Sequence, residues 1–144
     1  MDSYSVKLWK SDSYTLEQAS IIEFASQFDP QPYHLDRTAG EHSIFGGLCA
    51  SGWQVTAIAT KLAGEVLVRE GVPFLEINSI HDVHWKRPAF ADDNLFVEVQ
   101  LADFTLGNPI PECNSQDVKI TVRSQSEEIV ATLFCRVAIK KSCK

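Results

Sequence analysis

The chain lacks any apolar run of roughly 18 residues or more, the length a membrane-spanning helix needs, so no membrane partner is expected. It lacks a Cys-x-x-Cys pair. Cys49, Cys113, Cys135 and Cys143 are scattered, and their spacing fits no metal site. Cys49 and Cys135 lie in apolar segments and read as buried thiols that behave like small hydrophobes. There is no Lys/Arg cluster and no aromatic platform for RNA, and the formal net charge is −6, so a nucleic-acid partner is not expected. Lys86-Arg87 is the best adjacent basic pair for a phosphate, although such a pair beside Pro88 is also an ordinary solvated turn. The amino terminus, Met1-Asp-Ser-Tyr-Ser-Val-Lys, has neither the basic nor the apolar region of a secretory signal, which makes a cytoplasmic location the expectation. No repeat, low-complexity tract or linker divides the 144 residues, so one domain spanning 1–144 is expected.

What is present reads as helices first and strands afterwards. Ser5 to Trp9 alternates weakly and suggests a short strand. Thr15 and Gln18 fit a capping box. Ile21, Phe24, Ala25 and Phe28 then recur at helical spacing, and Pro30 and Pro32 stop the helix after Asp29. Asp36 is placed to cap a short turn through Ala39. Ser51 to about Arg69 reads as a longer helix, ended by Gly71 and Pro73. Its polar strip is narrow, at Gln54, Lys61 and Glu65, and a helix so apolar around its circumference is expected to be enclosed by protein.

After Pro73 the pattern is extended. Strands are expected at 74–85, 94–106, around Val118 to Val122, and from Ile129 to Ile139. A turn joins them at 88–93 and a loop at 108–114. Consecutive strands with short connections imply an antiparallel sheet, and a sheet curled around the apolar helix is the natural packing solution. The fold class is therefore α+β.

The chemistry concentrates in Asp29-Pro-Gln-Pro-Tyr-His34 and in Phe45-Gly-Gly-Leu-Cys-Ala-Ser-Gly52. Asp29 alone is a turn former beside proline, and His34 alone is a half-buried polar tip. Together, on a turn stiffened by two prolines, they are the groups that grip a water and move its protons. The glycine-rich segment leads into the amino end of the long helix, where free N–H groups and partial positive charge favour a developing oxyanion. The pair and the helix end suggest addition of water to a double bond beside a carbonyl, or its removal. Gly52 also has a plainer use, close helix–sheet packing. Thr60 reads as bonding its own helix, Trp53 as core, and His42, His81 and His84 as surface or strand-face residues with no visible partners.

These pieces resemble the MaoC-like dehydratases, a branch of the hot-dog fold that includes the (R)-specific enoyl-CoA hydratases. The match comprises Phe24-Ala25, then Asp29 through His34-Leu35-Asp36, Phe45-Gly-Gly, Ala50-Ser-Gly52, Trp85-Lys-Arg-Pro88 and Asp92-Asp93, over about residues 14–139. The resemblance implies an antiparallel sheet wrapped around a long central helix. It implies Asp29 and His34 as the catalytic pair, the Gly52 backbone N–H as oxyanion donor, and a homodimer or dimer of dimers. Many members carry His-Gly where this chain has Ser51-Gly52, which removes any side-chain role of that histidine. Thr60 stands in the place of a family serine, and Gln31 in that of an asparagine.

The expected function is a hydro-lyase acting on a 2-enoyl thioester, joined to coenzyme A or an acyl carrier, with no cofactor of its own. Asp29 is expected to accept the water proton while His34 orients the water, with the opposite division left open. The acyl chain would lie against Phe28, Tyr33 or Trp53. A hot-dog acyl-CoA thioesterase is one alternative; it needs a carboxylate on the central helix, where Glu65 lies far from Gly52. A non-catalytic acyl-binding subunit is another, and requires Asp29 and His34 to stand too far apart to share a water.

Overall fold

A computed structural model describes residues 4–102 and 113–140. In chain order the elements are β1 (Trp9–Lys10), β2 (Tyr14–Thr15), α1 (Gln18–Phe28), α2 (Pro32–Leu35), α3 (Arg37–Glu41), α4 (Gly52–Arg69), β3 (Phe74–Trp85), β4 (Asn94–Leu101), β5 (Cys113–Arg123) and β6 (Ile129–Lys140). The strands form one antiparallel sheet in the order β1-β4-β5-β6-β3, with β2 also paired to β4. This is the expected α+β hot-dog architecture.

The core is the contact between α4 and the sheet's inner face. Val55, Ile58, Ala59, Leu62, Ala63, Val66 and Leu67 of the helix are buried with Leu95, Val97 and Val99 of β4, Val118, Ile120 and Val122 of β5, and Leu133, Cys135 and Val137 of β6. Removing one Val, Ile or Leu side chain from water contributes roughly 1.5–3 kcal/mol, so this layer dominates the apolar burial. A sheet that encloses a helix must bend. The bending is visible in β3, whose pairing with β6 shifts register at three places, between Phe74 and Glu76, Ile77 and Ser79, and Ile80 and Asp82. Outside the curl, Arg123 bonds Glu98 at 2.6 Å and Arg136 bonds Asp117 at 2.8 Å. Among the described residues, no helix is long and apolar enough to cross a membrane.

Several local expectations are corrected. Thr15 does not cap α1. It lies in β2, donates to Asn94 Oδ1 at 2.7 Å, and leaves the helix to start at Glu17 without a side-chain cap. Gln18 instead accepts from Arg37 of α3 at 2.9 Å, so strand pairing has taken one capping group and a contact between helices the other. The first strand is shorter and later than Ser5–Trp9, and Tyr4 forms an isolated bridge to Ala102. Gln54 does not belong to a solvated strip: it is 4% exposed and donates to Ser20 of α1 at 3.1 Å. Trp53 is not core but 60% exposed, because the first turn of α4 protrudes at the sheet's rim. His84 has a partner, Asp82 at 3.0 Å. Most of the 108–114 loop, the expected end of the strand at 106, the side chain of Cys113, and Cys143 lie outside the described residues, while β5 already begins at Cys113.

Asp36 accepts from Ala39 N–H at 2.9 Å and starts α3 as expected. That helix is pressed against the glycine-rich segment at Gly40, where an added Cβ would lie 2.6 Å from Gly47 O and Leu48 N. Both obstacles are backbone and cannot swing aside. Gly40→Ala is therefore expected to lower stability by about 1–3 kcal/mol, outweighing the roughly 1 kcal/mol that alanine gains over glycine in a helix. Urea unfolding of the two proteins measures the difference, and an unchanged midpoint contradicts the close contact.

Candidate active site

Asp29 is the C-cap of α1, with its N–H bonded to Ala25 O at 2.9 Å. Pro32 opens α2, where its fixed φ and missing N–H suit the first helical position. The two elements turn sharply about Pro30, and this brings His34 back toward Asp29. His34 Nε2 stands 3.5 Å from Asp29 Oδ2.

The histidine is held from the other side. Its Nδ1 lies 2.6 Å from the Cys49 carbonyl, and a carbonyl only accepts, so Nδ1 carries a proton. That carbonyl is fixed in turn. Cys49 N–H donates to Tyr33 O at 3.2 Å, and Ala50 N–H donates to Ala89 O at 2.8 Å. The glycine-rich segment is thus clamped between α2 and the turn before β4. His34 is 7% exposed, so its ring is fixed by packing as well as by the bond. With Nδ1 committed, Nε2 of the neutral ring is an acceptor aimed at a carboxylate.

Ser51 adds a contact that sequence reading missed. It is fully buried and donates to Asp29 Oδ2 at 2.7 Å, while its Oγ accepts from Trp53 N–H at 3.3 Å as the N-cap of α4. Gly52 follows as the first residue of α4, where N–H groups have no intrahelical acceptor. Its α-carbon faces the Trp85 indole so closely that a Cβ would come within 2.8 Å of the ring. The indole Nε1–H donates to Gly52 O at 2.8 Å and lies 3.1 Å from Thr56 Oγ1. Gly52 thus combines a place in the first turn of α4 with close packing against Trp85.

A cavity of about 280 Å³ opens beside this cluster. His34 and Gly52 line it, together with Tyr33, Phe45, Val55, Trp85 and Val130. Asp29 is not in the lining; it stands beside His34, with its side chain 26% exposed. Of the three aromatics expected along the acyl chain, only Tyr33 is in the wall; Phe28 and Trp53 are turned out to solvent at 69% and 60% exposure. The replacements, Phe45 and Trp85, come from the glycine-rich segment and from the end of β3. Lys86 and Arg87 lie at the cavity's edge, with Arg87 paired to Glu128 at 2.9 Å. Thr60 bonds Ala57 O of its own helix, as expected, and Glu65 is engaged with Lys61 at 3.2 Å.

The profile of the MaoC like domain matches residues 5–125. The chain belongs to the MaoC-like domain family. Its relatives include the uncharacterized protein YdeM of Bacillus subtilis, 30% identical over 107 residues that cover 72% of this chain and 73% of that one. The MaoC-like dehydratase of Rhodospirillum rubrum is 29% identical in sequence, with a TM-score of 0.75 over 96% of this chain and 93% of that one. The (R)-hydratase of A. caviae shares the fold at 19% identity, with a TM-score of 0.66 over 91% of this chain and 92% of that one. Membership in the MaoC-like family supports a hydratase or dehydratase class of enzyme.

Two thiols in this MaoC-like chain are held in the protonated form by their surroundings. Burial pushes the Cys135 thiol up to about 11, and burial also raises Cys49, partly offset by a backbone hydrogen bond. Only the thiolate attacks a disulfide reagent, so both are expected to be slow to react near pH 8. In a protein with Cys113 and Cys143 replaced by serine, a thiol titration with Ellman's reagent should register neither group until denaturant is added. Rapid native-state labelling at pH 8 contradicts that burial.

Proposed function

We propose that the chain is a hydro-lyase acting on a 2-enoyl thioester, carried by coenzyme A or by an acyl-carrier protein. The observation that carries this reading is the 3.5 Å approach of His34 Nε2 to Asp29 Oδ2 with Nδ1 already bonded to Cys49 O. An ionised carboxylate and a neutral imidazole nitrogen are both acceptors, and two acceptors do not bond each other. A water molecule, with two protons to give, satisfies both. Asp29 takes one proton as the water oxygen attacks the β-carbon, and His34 orients the water. The proton taken up is returned to the α-carbon from the same pair, so the product carries the whole water molecule. In between, negative charge gathers on the thioester oxygen, where the Gly52 N–H and the positive end of α4 stabilise it. The sequence needs no oxidant or reductant, and no cofactor is assigned beyond the coenzyme A of the substrate.

The alternatives fare less well. Glu65 is thirteen positions beyond Gly52, roughly 20 Å along the helix, and is tied to Lys61, so it does not face a thioester held at Gly52. A purely binding subunit has no need of the converged pair. The test is incubation with crotonyl-CoA and longer 2-enoyl-CoAs, following loss of enoyl absorbance and release of free thiol. Hydration without thiol release is expected. Asp29→Asn and His34→Ala should each lower the rate by about 10²–10⁴-fold while the circular dichroism spectrum is unchanged. Thiol release alone would shift the reading to a thioesterase.

We also infer a homodimer or a dimer of dimers. β3 is a 12-residue strand at the sheet's end with Leu75, Ile80 and Trp85 exposed at 53%, 39% and 44%. A long edge with apolar side chains and free backbone groups is open to pairing, and a second copy about a twofold axis would extend the sheet. Light scattering should give at least twice the chain mass; a monomer at micromolar concentration counts against the assembly.

A further inference from the structure

The surroundings of Asp29 are unfavourable to its charge on one side and favourable on the other. It caps the carboxyl end of α1, where the helix dipole places partial negative charge. Its carboxylate is turned away from that end toward the amino terminus of α4. There Ser51 Oγ–H donates to Oδ2 at 2.7 Å, a charge-assisted bond made by a side chain with no exposure to solvent. The hydroxyl has one proton. Because Oγ already accepts the Trp53 N–H, and an ionised carboxylate only accepts, that proton belongs to Asp29. His34 Nε2 also faces Oδ2, at 3.5 Å.

We propose that Ser51 is a positioning residue for the hydration reaction: its hydroxyl fixes the Asp29 carboxylate against His34 and ties it to the helix end that presents the Gly52 N–H. The inference rests on the hydratase reading and adds to it a third side chain. One residue links the two halves of the site, because Ser51 holds the carboxylate through Oγ and precedes Gly52 in the chain. Without it, the carboxylate is free to rotate about its side-chain bonds, and its distance from His34 is no longer set.

The test separates this role from helix capping. Ser51→Gly removes the hydroxyl but leaves an N-cap residue only slightly worse than serine, and Ser51→Ala removes both. With crotonyl-CoA, both variants are expected to lose about 10–100-fold in kcat with KM changed less than about threefold. Retained kcat, or a loss confined to KM, overturns the proposal. In an Asp29→Asn background, Ser51→Gly should lower the residual rate no further, since the carboxylate it serves is gone. A full additive loss there overturns it as well. Thermal unfolding of the unaltered, Asp29→Ala, Ser51→Gly and doubly substituted proteins reads the contact without turnover: the Tm changes at 29 and 51 should be non-additive, and additive changes overturn the contact. If the unaltered protein hydrates no enoyl thioester yet its unfolding shows the coupling, the hydratase reading fails and the Ser51–Asp29 link stands.

Discussion

Enclosure of α4 by the curled sheet is the constraint on which the rest depends. An 18-residue helix apolar on most faces has to be surrounded, and a single sheet can surround it only by bending. Bending leaves the helix's amino end at the rim, because a wrapped sheet is open at its ends. The first turn of α4 therefore stands where free N–H groups, a cavity and solvent meet. Trp53 is exposed for the same reason that Gly52 is available.

The second consequence is a clamp. The segment before α4 cannot drift, because Ala50 bonds Ala89 and Cys49 bonds Tyr33. Its rigidity passes to His34 through one short bond from Nδ1 to a backbone carbonyl. A backbone acceptor is well suited to this task. It cannot rotate away, and it fixes the tautomer without bringing a second charge beside the carboxylate. Placing the histidine on a short helix begun by proline keeps the loss of chain entropy small, because Pro32 already has the φ the helix needs.

Trp85 shows how packing and chemistry share atoms. Its ring fills the space a side chain at position 52 would occupy, and its N–H bonds the Gly52 carbonyl. The Gly52 carbonyl is thereby pinned at the start of α4. The same indole forms part of the cavity wall and meets Trp53 edge-on at 5.2 Å. Packing that excludes a Cβ and a bond that holds the helix end come from one side chain here.

The amino-acid order by itself determined the elements whose cause is local. Alternation marked strands β4, β5 and β6, a long extended run marked β3, helical spacing marked α1 and α4, and Asp36 capped its turn, because backbone periodicity and nearest-neighbour sterics operate over a few residues. It also marked Asp29 and His34 as candidate chemical groups through residue type and spacing, and Gly52 through the family resemblance. Tertiary structure decided what depends on contacts far apart in the chain. Thr15 and Gln18 were drawn from a cap into bonds with Asn94 and Arg37, Gln54 was buried by α1, and Phe45 and Trp85 replaced Phe28 and Trp53 at the cavity. The Ser51 hydroxyl found Asp29 and the Cys49 carbonyl found His34 only once the segments had been brought together. Such bonds join groups 15 to 79 positions apart, and no local pattern encodes which distant donor a buried acceptor will meet.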